Sequence, residues 1–271
     1  MSSFPTQHSE SVLFITLDSC RYDTAATAQL PVLSQVSRLQ RAWAPGNFTY
    51  ASHLAMFAGF TPGDPYRREA VINPKYGKLF RMAQGGLKGQ DRMVLEGENI
   101  KQGFKRKGYH VLGSGAVAWF NPATETAGAL LRDFDAFFYP GCNWGLEQQL
   151  GWVGEQLALR QGERVFLFLN IGETHVPYYF PGAAWSPEEN PCLPFGAAGS
   201  DALKSRIRQR RALEYVDQQL AGLLRAFAGG IRYICADHGD CWGEDGLWEH
   251  GISHPKVLEV PVWYGEGDSR F

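Results

Sequence analysis

Three short apolar runs constrain this chain more than any other feature: "SVLFITL" (11–17), "RVFLFLNI" (164–171) and "IRYICA" (231–236). None alternates apolar with polar, as a half-exposed strand would. Each is continuous, the pattern of parallel strands covered on both faces. "YHVLGSGAVAWF" (109–120) predicts a further strand and "VPVWYG" (260–265) a late one. Helical periodicity lies between them: Leu146, Leu150, Val153 and Leu157 share one face, and Leu213, Val216, Leu220, Leu223, Leu224 and Phe227 form a second stripe that Gly229-Gly230 stops. Alternating strand and helix predicts one α/β domain over residues 1–271, a three-layer sandwich whose mainly parallel central sheet is flanked by helices. The Pro-, Gly- and Ala-rich segment 180–200 reads as a long surface loop or a lid.

Composition narrows the function classes. The chain has 271 residues, 44% of them hydrophobic, and a formal net charge of −2, which gives no electrostatic case for a nucleic-acid partner or an anionic membrane. The basic run "KSRIRQRR" (204–211) lies in a helical pattern and reads as a solvated face. No apolar run reaches the ~20 residues that span a bilayer, and "MSSFPTQHSE" lacks the basic and apolar parts of a signal peptide. The five cysteines are scattered, without CxxC spacing. A cytoplasmic protein with reduced thiols is expected.

Each apolar run ends in acids or histidines. The first gives way to Asp18, the second to "GETHVPYY" with Glu173 and His175, the third to Asp237-His238-Gly239-Asp240. Open α/β sheets bind ligands beyond the carboxyl ends of their strands, so one rim collects carboxylates and imidazoles from three distant segments. A divalent cation would compensate their charge. Mixed Asp and His donors suit zinc best, with manganese as the alternative. His250 and His254 follow in "GLWEHGISHPKV"; His254 reads as a solvent-facing loop residue. In "APGNFTYASHLAMFAGFTPG" (44–63), Thr49 stands just ahead of an apolar helical turn, as either a helix cap or an attacking oxygen.

Six segments, in chain order, resemble the alkaline phosphatase and sulfatase superfamily. "VLFITLDSCRYDT" is similar to its first strand, with Asp18 as metal-binding acid and Arg21 and Asp23 in a D-x-x-R-x-D frame. "FTYASHLAMFAGFTPG" resembles the nucleophile segment, and "GFKRKGYHVLGSG" a helix, turn and strand. "FLFLNIGETHVPYY", "ADHGDCWGEDGLWEHG" and "VPVWYG" resemble the later blocks. The resemblance implies a metal site of Asp18, Thr49, Asp237 and His238. It places His175 and His250 where relatives bind the substrate phosphate or a second metal. Glu173 stands where many relatives carry Asp, and Asn47, Ser52, His53 and Glu173 become candidate substrate-side donors.

Three departures shape the expected chemistry. Sulfatases oxidise a Cys or Ser within C-x-P-x-R to an aldehyde, whereas Thr49 carries a methyl on its β-carbon and cannot follow. The chain stops soon after "VPVWYG", as in a minimal single-domain branch of sulfatase-like hydrolases. The D-x-x-x-H pair of two-zinc phosphodiesterases has no match. The reading is a metal-dependent hydrolase of small-molecule phosphate esters, monoester or diester, working through a phosphothreonine at Thr49 with His175 and His250 as catalytic partners. A phospho-group transferase and a non-catalytic metal-binding scaffold are the alternatives. Specificity is expected from loop 64–98, where Arg67, Arg68, Lys75 and Arg81 could steer an anion, and from loop 180–200; Trp185 in that loop and Tyr178 just before it could stack on a ring.

Overall fold

Along the first strand, even- and odd-numbered side chains serve two different cores. The computed structural model describes residues 4–7, 9–59, 80–82, 93–95 and 97–267. Its strands are β1 (Val12–Leu17), β2 (Gln40–Trp43), β3 (Phe80–Met82), β4 (Met93–Leu95), β5 (His110–Gly115), β6 (Ala136–Phe138), β7 (Val165–Ile171), β8 (Ile231–Ala236), β9 (Cys241–Trp242), β10 (Trp248–Glu249) and β11 (Glu259–Glu266). Seven form the main sheet, in the order β2-β11-β8-β1-β7-β5-β6. β1 lies in the middle, parallel to β7 and β8, and β5 and β6 continue the parallel run. β11 is antiparallel to both of its neighbours.

Pleating sends successive side chains to opposite faces. Leu13, Ile15 and Leu17 join Leu167 and Leu169 of β7 in a core shared with Leu146, Leu150, Val153 and Leu157 of the helix Leu146–Ala158 and with Leu213 and Val216 of the helix Ala202–Gln219. Val12 and Phe14 join Phe166 and Phe168 on the other face, against Phe57 of the helix Thr49–Ala58 and Phe104 of the helix Ile100–Arg106. The runs are continuous because both faces are covered. Each fully buried Leu or Phe side chain contributes about 1.5–3 kcal/mol. This is the expected three-layer α/β arrangement.

Some boundaries differ from the sequence reading. The strand expected over 109–120 stops at Gly115, where the backbone N–H of Ala116 turns to the carbonyl and side chain of Asn170, and residues 118–120 form a 3-10 turn. The second helical stripe is two helices, Ala202–Gln219 and Ala221–Ala226, so it ends before Gly229-Gly230. In the basic run, Lys204, Arg206 and Arg211 are exposed, but Arg208 is buried and bonded to Glu189, so this face is only partly solvated. Arg67, Arg68 and Lys75 lie outside the described residues, and Arg81 is described only as part of β3. No described helix is long and apolar enough to cross a membrane.

Candidate metal and phosphoryl site

Register brings the first two acids together. Leu17 of β1 pairs with Ala236 of β8, so Asp18 and Asp237 leave adjacent parallel strands side by side. Both are fully buried. Asp18 continues the even-numbered row of β1, the row that faces the helix Thr49–Ala58, and Thr49 is the first residue of that helix. Gly239 lets the chain turn immediately afterwards: a Cβ there would lie 2.3 Å from the Lys256 carbonyl oxygen.

Thr49 is not the helix cap. The cap is Phe48, whose side chain accepts no backbone hydrogen bond. The Thr49 hydroxyl lies 3.4 Å from Asp18 Oδ2 and 3.2 Å from His238 Nε2. His238 directs Nδ1 at the Gly239 carbonyl, 3.0 Å away. A carbonyl only accepts, so Nδ1 carries the proton and the Nε2 lone pair faces the carboxylates, 3.5 Å from Asp237 Oδ2 and 3.9 Å from Asp18 Oδ1. Asp237 Oδ1 accepts from the backbone N–H groups of Ser19 and His238, while its buried Oδ2 has no hydrogen-bond partner among the described residues.

Electrostatics describe a site short of positive charge. Burial, reinforced by Asp18, pushes the Asp237 carboxyl well above its ordinary range. Burial works the same way on Asp18, but His175, His238 and the Asn170 hydrogen bond outweigh it and hold that carboxyl low. Burial and the nearby His250 bring His238 down to about 4, so its ring is neutral. Asp18, Asp237 and His238 each offer a ligand atom, all within 4.8 Å of one another. Two crowded carboxylates, one orphaned oxygen and a neutral imidazole aimed between them fit a divalent cation.

A second cluster adjoins the first. The ring centroid of His250 lies 4.5 Å from that of His238 and 5.4 Å from that of His175. His250 Nδ1 donates to Asp240 Oδ1 at 2.7 Å. Burial opposes its charge, but Asp240 outweighs burial and lifts His250 to about 9. Asp240, His238 and His250 also offer ligand atoms within reach of one another. Both oxygens of Asp240 are nevertheless engaged, since Oδ2 accepts the Tyr178 hydroxyl at 2.7 Å. His175 Nδ1 donates to the Val176 carbonyl at 2.8 Å, which leaves its Nε2 as the available nitrogen.

Several expected donors are placed elsewhere. Ser52 is fully buried and donates to the Asp237 backbone carbonyl at 2.7 Å, so it pins the β8 end rather than meeting a ligand. His53, four residues after Thr49, is also fully buried. It donates to the Thr49 carbonyl at 2.7 Å and accepts from Thr16, with Phe120 and Phe168 edge-on to its ring. Glu173 is buried with Oε1 on the Leu146 backbone N–H, and burial raises it to about 8. The Asn47 carbonyl accepts from Gly251, tying the Thr49 segment to the His250 loop. Arg21 forks onto Asp23 and reaches Glu244. His254 caps the helix Pro255–Leu258 by accepting the Lys256 N–H. Tyr178 is buried and offers no stacking face, while half-buried Trp185 donates to the Tyr178 carbonyl and has the Arg208 guanidinium 5.1 Å from its ring centre.

Two residues escaped the sequence reading. Asn170 donates to Asp18 Oδ2 at 2.9 Å; as the one polar residue near the end of an apolar strand, it carried a readable signal. Asp240 stood in the quoted block without a role, and only coordinates pair it with His250.

No protein-family profile matches this sequence, and no curated protein matches it; solved structures do. The C-terminal periplasmic domain of phosphoethanolamine transferase EptC from Campylobacter jejuni is 13% identical with a TM-score of 0.61, over 96% of this chain and 82% of that one. The corresponding EptC domain from Escherichia coli, in complex with Zn, is 11% identical with a TM-score of 0.61, over 99% and 78%. Phosphonate monoester hydrolase of Agrobacterium radiobacter is 12% identical with a TM-score of 0.58, over 94% and 68%.

Proposed function

We propose, starting from a chain with the alkaline-phosphatase-like fold, that this protein is a metal-dependent hydrolase of phosphate esters with Thr49 as its nucleophile. One observation carries the reading: the Thr49 hydroxyl stands beside Asp18 Oδ2 and His238 Nε2, and that same Nε2 lies 3.5 Å from the orphaned Asp237 Oδ2. The zinc complex of the E. coli EptC domain supports zinc as the ion. A divalent cation held by Asp18, Asp237, His238 and Thr49 would ease loss of the Thr49 proton and offset phosphoryl charge, as zinc lowers bound water to about pKa 7.

The chain's own groups supply the rest. Thr49, its proton released to solvent, attacks phosphorus; the Thr49 Oγ–P bond forms as the bond to the leaving oxygen breaks. His250, kept cationic by Asp240, gives its Nε2 proton to that oxygen. Water then attacks the phosphothreonine, passes one proton back to His250 and frees Thr49. The uncapped N–H groups at the start of the helix Thr49–Ala58 hold phosphoryl oxygens, and His175, which needs a proton on Nε2 as well as Nδ1 to do so, donates to another. A second reading, transfer to an acceptor hydroxyl instead of water, is favoured by the likeness to two phosphoethanolamine transferase domains.

Metal analysis of the purified protein, followed by assays on p-nitrophenyl phosphate, bis-p-nitrophenyl phosphate and p-nitrophenyl sulfate, tests the proposal. Turnover of a phosphate ester that Thr49→Ala abolishes supports it. Bound metal without turnover favours a scaffold, and turnover that survives Thr49→Ala removes the nucleophile.

A further inference from the structure

The Tyr178 side chain is fully buried and hydrogen-bonded on both sides. Its hydroxyl donates to Asp240 Oδ2 at 2.7 Å and accepts the Trp242 indole N–H at 2.8 Å. The other oxygen of Asp240 holds His250 Nδ1. The backbone N–H of Tyr178 donates to the His175 carbonyl at 2.7 Å, and its own carbonyl accepts the Trp185 indole N–H at 3.2 Å. One residue is therefore bonded directly to the turn that carries His175 and, through one carboxylate, to the ring of His250. The two rings lie 5.4 Å apart.

We propose that Tyr178 is a positioning residue that fixes His250 through Asp240 and sets the spacing between the His250 and His175 rings. A carboxylate held at one oxygen can swing about its last torsion, and the imidazole bonded to it swings too. Tyr178 removes that freedom by anchoring the second oxygen, and Trp242 fixes Tyr178 in turn. Packing supports the arrangement: Tyr178, Trp242 and Cys192 form one buried cluster with Val176, Ala202 and Trp248 around it. Through Cys192 and Trp185 the segment 180–200 is built into this support.

This inference rests on His250 as proton donor to the leaving group, and the test separates the two ideas. Tyr178→Phe keeps the ring and deletes the hydroxyl. Phenolate needs a proton on departure far more than p-nitrophenolate does. Turnover of phenyl phosphate should therefore fall about tenfold, and that of p-nitrophenyl phosphate by less than about threefold. In the metal-free protein, the downfield proton resonance of His250 Nδ1–H should move upfield. Trp242→Phe should shift both readouts the same way by less, and serves if Tyr178→Phe does not fold. Equal losses on both substrates, or no loss, in an enzyme that Thr49→Ala inactivates would overturn the Tyr178 role and leave the proposed function standing. If Thr49→Ala stays active, the function reading falls; the resonance then decides alone, and an unmoved signal refutes the positioning role.

Discussion

Asp18 and Asp237 leave adjacent parallel strands in register, both fully buried, and the Oδ2 of Asp237 finds no hydrogen-bond partner among the described residues. Like charges so placed destabilise the metal-free protein and attract a cation. Asp237→Asn should raise the melting temperature of the metal-free protein and erase the further rise that zinc gives the wild type. Differential scanning calorimetry with and without zinc reads both effects. A variant that gains as much from zinc as the wild type would argue against the site.

Thr49 should be irreplaceable except by another hydroxyl. Its side chain reaches Asp18 and His238 and makes no helix cap, so truncation removes chemistry rather than fold. Thr49→Ala is expected to lower kcat by at least about a thousandfold with an unchanged far-ultraviolet spectrum. Thr49→Ser, which keeps the oxygen, should retain measurable turnover.

The Asp240–His250 pair sets an alkaline limit. His250 is raised from 6.5 to about 9, so its proton, and the stability the pair contributes, persist below 6.5 and are lost as pH rises through about 9. The pH profile of kcat should fall on that alkaline side. Asp240→Asn should move the fall toward 6.5, as steady-state rates across the range would register.

Lys101 carries a different pH signature. Its buried ammonium donates to the Leu130 carbonyl and lies 4.4 Å and 4.5 Å from the Phe57 and Phe134 ring centres, and burial lowers it to about 7. Between about 7 and its ordinary 10.5, the unfolded chain holds a proton the folded one lacks, so this residue makes stability rise with pH there. Lys101→Met should flatten that slope and, at neutral pH, stabilise the fold on the order of 1 kcal/mol. Urea unfolding at several pH values measures both.

The sheet was legible because its central strands are covered on both faces and therefore carry continuous apolar runs. β2 was not: "QRAW" is an edge strand with two exposed residues, and no periodicity marks it. Asp18, Asp237 and His238 were legible as strand-end residues, since strand ends are where parallel sheets gather polar groups. Depth was not. Thr49, Ser52 and His53 share a helical face by spacing alone, and only packing reveals that Ser52 and His53 turn to the backbone while Thr49 meets the acids. Glu173 looked like a rim residue but lies under the helix Leu146–Ala158, where it accepts that helix's first N–H. The side-chain partnership of Tyr178, Asp240 and His250 has no sequence signature, because it joins residues 62 and 10 positions apart through bonds that no periodicity encodes.

Anomalous diffraction at the zinc edge, from crystals grown with zinc, tests the central claim most directly. The account predicts a strong peak about 2.0–2.2 Å from oxygens of Asp18, Asp237 and Thr49 and from His238 Nε2. A peak elsewhere, with Thr49 turned away from those three residues, would contradict it.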